Sequence, residues 1–166
     1  GSDSLGTVTA ADNGTFSITS SVLPDEIYTL TVTATDAAGN TSDPSAGLPI
    51  TIDTTAPAAP VITTTTALTN DNTPTIEGTA EAGSTVELFN GSDSLGTVTA
   101  ADNGTFSITS SVLVDADYTL TVTATDEAGN TSVPSTGLPI TIDTTAPAAP
   151  LITTDIALTK INTPQQ

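Results

Sequence analysis

The sequence predicts an all-β protein built as a tandem array of antiparallel β-sandwiches, with about seven short strands in each 90-residue repeat. Three observations carry this. The 23 residues GSDSLGTVTAADNGTFSITSSVL at 1–23 return unchanged at 91–113, and 63 of the 76 pairs overlaid by a shift of 90 are identical. Apolar residues recur with period two, the mark of strands buried on one face, and no stretch has helical spacing. Asn, Asp, Gly and Pro clusters punctuate these runs at short intervals, as turns in a sandwich require. A period of 90 is too long for a solenoid repeat and matches a small complete domain.

The unit boundaries follow from composition. DTTAPAAP at 53–60 and 143–150 is proline-rich and lacks alternation, so it reads as an extended connector between compact bodies. Cutting there gives the C-terminal part of one repeat at 1–55, a complete repeat at 56–145 and the N-terminal part of a third at 146–166. Since EGTAEAGSTVELFN at 77–90 occurs once, the flanking pieces are expected to lack strands of their own unless another chain supplies them.

Within the complete unit the elements come in order. VITTTT opens it with Ile62, TPTIEGTA offers Ile76, and STVELFN pairs Val86 with Leu88. SLGTVTA contributes Leu95 and Val98, and GTFSITS sets Phe106 and Ile108 on one face. Asp102, Asn103 and Gly104 between these last two read as a hairpin turn, because Asn and Gly tolerate positive φ. YTLTVTATD alternates Tyr118, Leu120, Val122 and Ala124 against four threonines, and GLPITID closes the unit with Ile140 and Ile142. Tyr118 stands at the start of the penultimate strand, the place of the tyrosine corner in immunoglobulin-like sandwiches.

Charge and missing residue types narrow the function. The 166 residues hold 19 acids and one base, for a formal charge of −18. Nucleic acid and anionic membrane surfaces are therefore not expected partners, since both are met by Lys and Arg. No run of 18 apolar residues is present, so no helical membrane insertion is expected, and no export leader is visible in a chain that starts inside a unit. Cysteine and histidine are absent, which leaves carboxylates and hydroxyls as the main common catalytic groups, and a sandwich whose aromatics are Phe89, Phe106 and Tyr118 offers little to hold a sugar ring. An enzyme is not expected. The alternating threonines could present hydroxyls to a surface, but Thr is also an ordinary solvent-side strand residue.

The acids themselves have a pattern. A sandwich whose first strand starts at one end places the loops at Glu81–Ser84 and Asp126–Asn130 beside the incoming connector with its Asp53. At the other end lie Asp71, Asp115, Asp117 and the outgoing Asp143. Asp36 and Asn40 are the copies of Asp126 and Asn130 in the preceding repeat. Two unpaired carboxylates about 4 Å apart repel by about 1 kcal/mol in water and about 4 kcal/mol at an intermediate dielectric, and almost no basic residue is available to offset this. Calcium takes six to eight oxygen ligands and is the natural counter-charge. The expected ligands are Asp53, Glu81, Asp126 and Asn130 at one junction, Asp71, Asp115, Asp117 and Asp143 at the next, and Asp36 with Asn40 upstream. Single acids in turns are equally well explained by solvation and backbone preference.

GTAEAGSTV, ATDEAGNTS and IDTTAP resemble the bacterial immunoglobulin-like repeats of very large calcium-dependent surface adhesins, including those with repeats-in-toxin C-termini, and the likeness spans the whole chain. The resemblance implies immunoglobulin-like sandwiches at the bacterial cell surface, outside the cell, forming a stalk in adhesion and biofilm growth. It implies calcium stiffening the junctions, neighbouring repeats as partners, and a host or surface ligand bound by other domains. The competing expectation is a module that builds filaments by strand exchange or binds a ligand through its Thr-rich faces.

Overall fold

The computed structural model describes residues 3–153, so most of the expected third repeat, residues 154–166, lies outside the described residues. No helix occurs among them. Eight strands between residues 61 and 142 form one sandwich: β3 (Val61–Ile62), β4 (Leu68–Thr69), β5 (Thr75–Thr79), β6 (Thr85–Asn90), β7 (Asp93–Thr99), β8 (Thr105–Thr109), β9 (Ala116–Thr125) and β10 (Leu138–Ile142). One sheet runs β4-β10-β9-β6-β7 and the other β3-β5-β8. Upstream, β1 (Glu26–Leu30) and β2 (Leu48–Ile52) form an antiparallel pair, with Glu26 opposite Ile52 and Leu30 opposite Leu48. That is the register of β9 on β10 shifted by 90.

The alternation places the core as expected. Ile76, Val86, Leu88, Phe106, Ile108, Leu120, Val122, Ile140 and Ile142 are buried together, and Ile62, Leu95, Val98 and Tyr118 pack against them half-buried. Burying each such side chain contributes about 1.5–3 kcal/mol. Ala100 and Leu113 complete the cluster from loops. Gly78 is required on β5 between β3 and β8: a Cβ there would collide with the Val61 carbonyl oxygen and lie 2.5 Å from the Phe106 ring. The Tyr118 hydroxyl donates to the Val114 carbonyl at 2.9 Å, which is the expected tyrosine corner, and Tyr28 repeats it on Pro24 at 3.0 Å.

One turn differs from the expectation. Residues 101–104 do not close a hairpin, because β7 and β8 belong to different sheets. The turn carries the chain across the sandwich, with Gly104 at φ 79° and no positive φ at Asn103. Crossing is what buries both apolar sets: β7 and β8 become the edge strands of the two sheets along one side of the sandwich, bridged there by Ser111 N–H to the Leu95 carbonyl at 2.7 Å. The two-residue hairpin lies instead between β6 and β7, where Asn90 pairs with Asp93 around Gly91 and Ser92. Gly91 has φ 61°, the glycine-first geometry of a type II′ turn.

Candidate functional site at the linker

The stretch between β2 and β3 is held from both sides. On the upstream side, the Asp25 carboxylate accepts hydrogen bonds from the hydroxyls of Thr54 and Thr55, both at 2.8 Å. Asp53 Oδ1 accepts from the Thr55 N–H at 3.0 Å, a local turn that bends the chain out of β2. On the downstream side, Asn130 Nδ2 donates to the Asp53 carbonyl at 3.1 Å and to Asp126 Oδ2 at 2.9 Å, while the Asn130 N–H donates to Asp126 Oδ1 at 2.8 Å. Just beyond these anchors, Pro57 and Pro60 are buried. Proline also fixes φ, so the linker loses little entropy on being held.

The sequence brings these groups together for simple reasons. Asp126 ends β9 and folds back on Asn130 through a turn whose Gly129 has φ 94°. The loop containing Glu81 lies at the same end, because Thr85 at the start of β6 pairs with Thr125 at the end of β9. The hydroxyl and N–H of Thr54, then the hydroxyl of Thr55, hold the Asp25 carboxyl below the usual carboxylate range. Asp126 is lowered chiefly by the Asn130 side chain.

Of the expected ligands, the structure therefore joins Asp53, Asp126 and Asn130. The Glu81 carboxylate has no hydrogen-bond partner among the described residues, although its carbonyl accepts from the Ser84 N–H at 3.2 Å and hydroxyl at 2.7 Å. Asp36 and Asn40 repeat the Asp126–Asn130 clasp at 2.8 and 2.9 Å. At the other end, Asp115 grips Thr144 and Thr145 at 2.7 Å each, and Asp143 accepts from the Thr145 N–H at 3.0 Å. Asp117 accepts from Thr141 across the β9–β10 pair, and Asp71 caps its own turn on Thr73 at 2.8 Å. No group of three acidic side chains placed to hold a metal ion occurs among the described residues. The set at the linker offers the Asp126 carboxylate and the Asp53 carbonyl, hard oxygen donors of the kind calcium takes but few of them, with the Asn130 amide nitrogen turned to both. Sequence reasoning missed Asp25 and the threonine pairs 54–55 and 144–145; the signal was present in the repeated DTT, which reads as plain linker.

Two sheets of three and five strands, antiparallel except where β4 pairs parallel with β10, together with a tyrosine corner and a 90-residue repeat, define an immunoglobulin-like module. The family model of the bacterial Ig-like domain matches residues 1–54 and 62–144, and the chain belongs to that family. Exoglucanase B of Cellulomonas fimi is 34% identical over 168 aligned positions, covering 90% of this chain and 14% of the exoglucanase. Chitinase A1 of Niallia circulans is 34% identical over 137 positions, covering 76% of this chain and 19% of the chitinase. The chain thus spans less than a fifth of either relative. Among solved structures, the fibronectin(III)-like modules of Clostridium thermocellum CbhA share the sandwich, with TM-score 0.50, 18% identity and coverage of 78% of this chain and 70% of that one. The BSP domain of a biofilm associated protein is 28% identical at TM-score 0.44, covering 86% of this chain and 23% of that one.

Proposed function

We propose that these repeats, cut at residues 56 and 146, are the structural extender of a bacterial surface protein outside the cell, an adhesin stalk whose neighbouring repeats are its direct partners and whose tip ligand is bound by other domains. The observation that carries this reading is the linker gripped at residues 53–55 by both flanking units, by Asp25 through Thr54 and Thr55 and by Asn130 through the Asp53 carbonyl. A spacer needs a defined angle between units and needs each unit to contact only its neighbours. Identical copies then suffice, because length is the property used. Catalysis is no part of this role. The same spacing role would serve a secreted polysaccharide-degrading enzyme, the setting suggested by the names of the two curated relatives.

Calcium belongs to this proposal. The residues that would hold it are Asp53, Asp126 and Asn130, with Glu81 at the same end, and the ion would neutralise a junction that has no basic side chain. Asn130 turns its amide nitrogen to both oxygens here; a cation needs the amide oxygen there instead. Millimolar calcium is expected to raise the melting temperature and to lengthen a multi-repeat array in solution scattering, and chelator to reverse both. Unfolding and dimensions indifferent to chelator would sink the calcium reading and leave the spacer reading standing.

A second reading rests on a separate observation. Phe16, Val8 and Ile18, the copies of the core residues Phe106, Val98 and Ile108, are 56%, 49% and 39% exposed, so the upstream piece offers an open apolar face that strands of another chain could cover. Concentration-dependent association in sedimentation would favour it; a monomer at all concentrations would exclude it.

A further inference from the structure

The chain contains three Asn–Gly pairs, at 13–14, 90–91 and 103–104. Glycine carries no side chain to shield its nitrogen, so in such a pair the Gly nitrogen can reach the preceding carboxamide carbon. Two of the pairs are locked by the fold. Asn103 Oδ1 accepts from the Thr105 N–H at 3.1 Å and hydroxyl at 2.8 Å, and the Gly104 N–H is engaged by the Ala101 carbonyl at 2.7 Å. Asn13 and Gly14 repeat this, with Thr15 at 3.1 and 2.8 Å and the Ala11 carbonyl at 2.8 Å. The carboxamide oxygen is fixed on the following threonine and the Gly N–H is tied to an acceptor, so neither group is free to turn toward the other.

Asn90 and Gly91 have neither restraint. Among the described residues the Asn90 carboxamide makes no hydrogen bond and the Gly91 N–H has no acceptor, because Gly91 is the first central residue of the β6–β7 turn. The side chain stands half-buried on the rim of a shallow concavity that Gly91, Asp117 and Tyr118 also line, open to water. We propose that Asn90 is a site of spontaneous deamidation, the one Asn–Gly pair of the three that folding leaves reactive.

The step balances with water alone. The Gly91 nitrogen attacks Asn90 Cγ, the bond from Cγ to the amide nitrogen breaks, and ammonia leaves carrying the proton lost by the Gly91 nitrogen. The resulting succinimide ring is opened by water at one of its two carbonyls, which yields aspartate or isoaspartate. Aspartate adds a carboxylate to the rim shared with Asp117. Isoaspartate adds a backbone carbon to a two-residue turn whose register, Asn90 opposite Asp93, leaves no room for one. Either product alters the loop end from which the next linker departs, so the modification is a slow, irreversible mark of age on the repeat.

The test follows deamidation of the full chain in mildly alkaline buffer by peptide mapping, using a protease that cuts beside acidic residues, since Glu87 and Asp93 bracket the site. Conversion at Asn90 is expected to run several-fold faster than at Asn13 and Asn103 while the protein is folded, and the three rates are expected to converge in denaturant. Thr105→Val removes the hydroxyl that holds Asn103 and is expected to speed conversion there. Equal rates in the folded chain, Asn90 the slowest of the three, or the same ranking in denaturant would each overturn the proposal.

Discussion

Asp25 and Asp115 are solvent-exposed, yet each anchors the start of a linker. Asp115 accepts from the Thr144 N–H and hydroxyl and from the Thr145 hydroxyl, and these hold its carboxyl below the ordinary value of 3.8, the Thr144 side chain first. A carboxyl whose folded value is depressed contributes stability that is fully present above the unfolded value and is lost as pH falls through the folded one. The anchors are therefore expected to hold at neutral pH and to release below about pH 3.8. The protection of the Thr144 amide, each rate taken relative to its intrinsic value at that pH, checks this: Asp115→Ala at neutral pH should show the low protection that the unaltered chain shows only in acid, and unchanged protection would refute the anchor. At this scale the sequence was half legible. Asp53, Asp126 and Asn130 were readable as a junction set, because acids at turns and linkers can be located by counting strands. Their actual partners were not, because a threonine beside an aspartate looks the same whether its hydroxyl faces water or a carboxylate thirty residues away. The copies also diverge: Asp117 corresponds to Ile27 and Asp71 to Ile161, so those two acids cannot serve every junction.

Among the elements, β9 outruns its partner. Pairing with β10 ends at Leu120 opposite Leu138, yet β9 continues to Thr125. Beyond Leu120 the ladder is carried by side chains: the Ser135 hydroxyl accepts from the Val122 N–H at 3.1 Å and the Ser132 hydroxyl from the Ala124 N–H at 3.0 Å. Each serine also donates its own N–H to the same residue's carbonyl, at 2.9 and 2.8 Å. The upstream copy repeats this on Val32 and Ala34. Ser132 and Ser135 are buried, so Ser135→Ala strands the Val122 N–H away from water and should destabilise the sandwich by about 1–3 kcal/mol in denaturant unfolding. A loss much under this range would mean that the hydroxyl is replaceable by solvent. The strands were legible because one buried face imposes alternation. NTSVPSTG was not, since a segment that pairs through hydroxyls has the composition of a loop. The 101–104 turn was misread as a hairpin for a related reason: Asp-Asn-Gly specifies a tight reversal but not whether the chain returns to the same sheet.

For the molecule as a whole, the duplication is an internal control on what makes a strand. Residues 3–23 keep the local bonds of 93–113, including Ser21 N–H to the Leu5 carbonyl at 2.8 Å beside Ser111 to Leu95 at 2.7 Å. The copy at 93–113 forms β7 and β8, which pair with β6 and β5, and the copy at 3–23 has no such pairing partner among the described residues and forms no strand. Burial follows the same division: Phe106 is 5% exposed and Phe16, in an identical neighbourhood of sequence, 56%. Removing the Phe106 ring therefore deletes apolar contacts and leaves a cavity, at a cost of about 3–5 kcal/mol, against total stabilities of about 5–15 kcal/mol for domains in general. Phe16→Ala deletes a ring already largely in water. Thermal unfolding of the two variants should separate sharply, Phe106→Ala lowering the melting temperature by on the order of 20 °C and Phe16→Ala leaving it nearly unchanged. A comparable drop for Phe16→Ala would show that in solution the upstream face is covered, by strands from another chain, and would move the weight of the evidence from spacer to strand exchange.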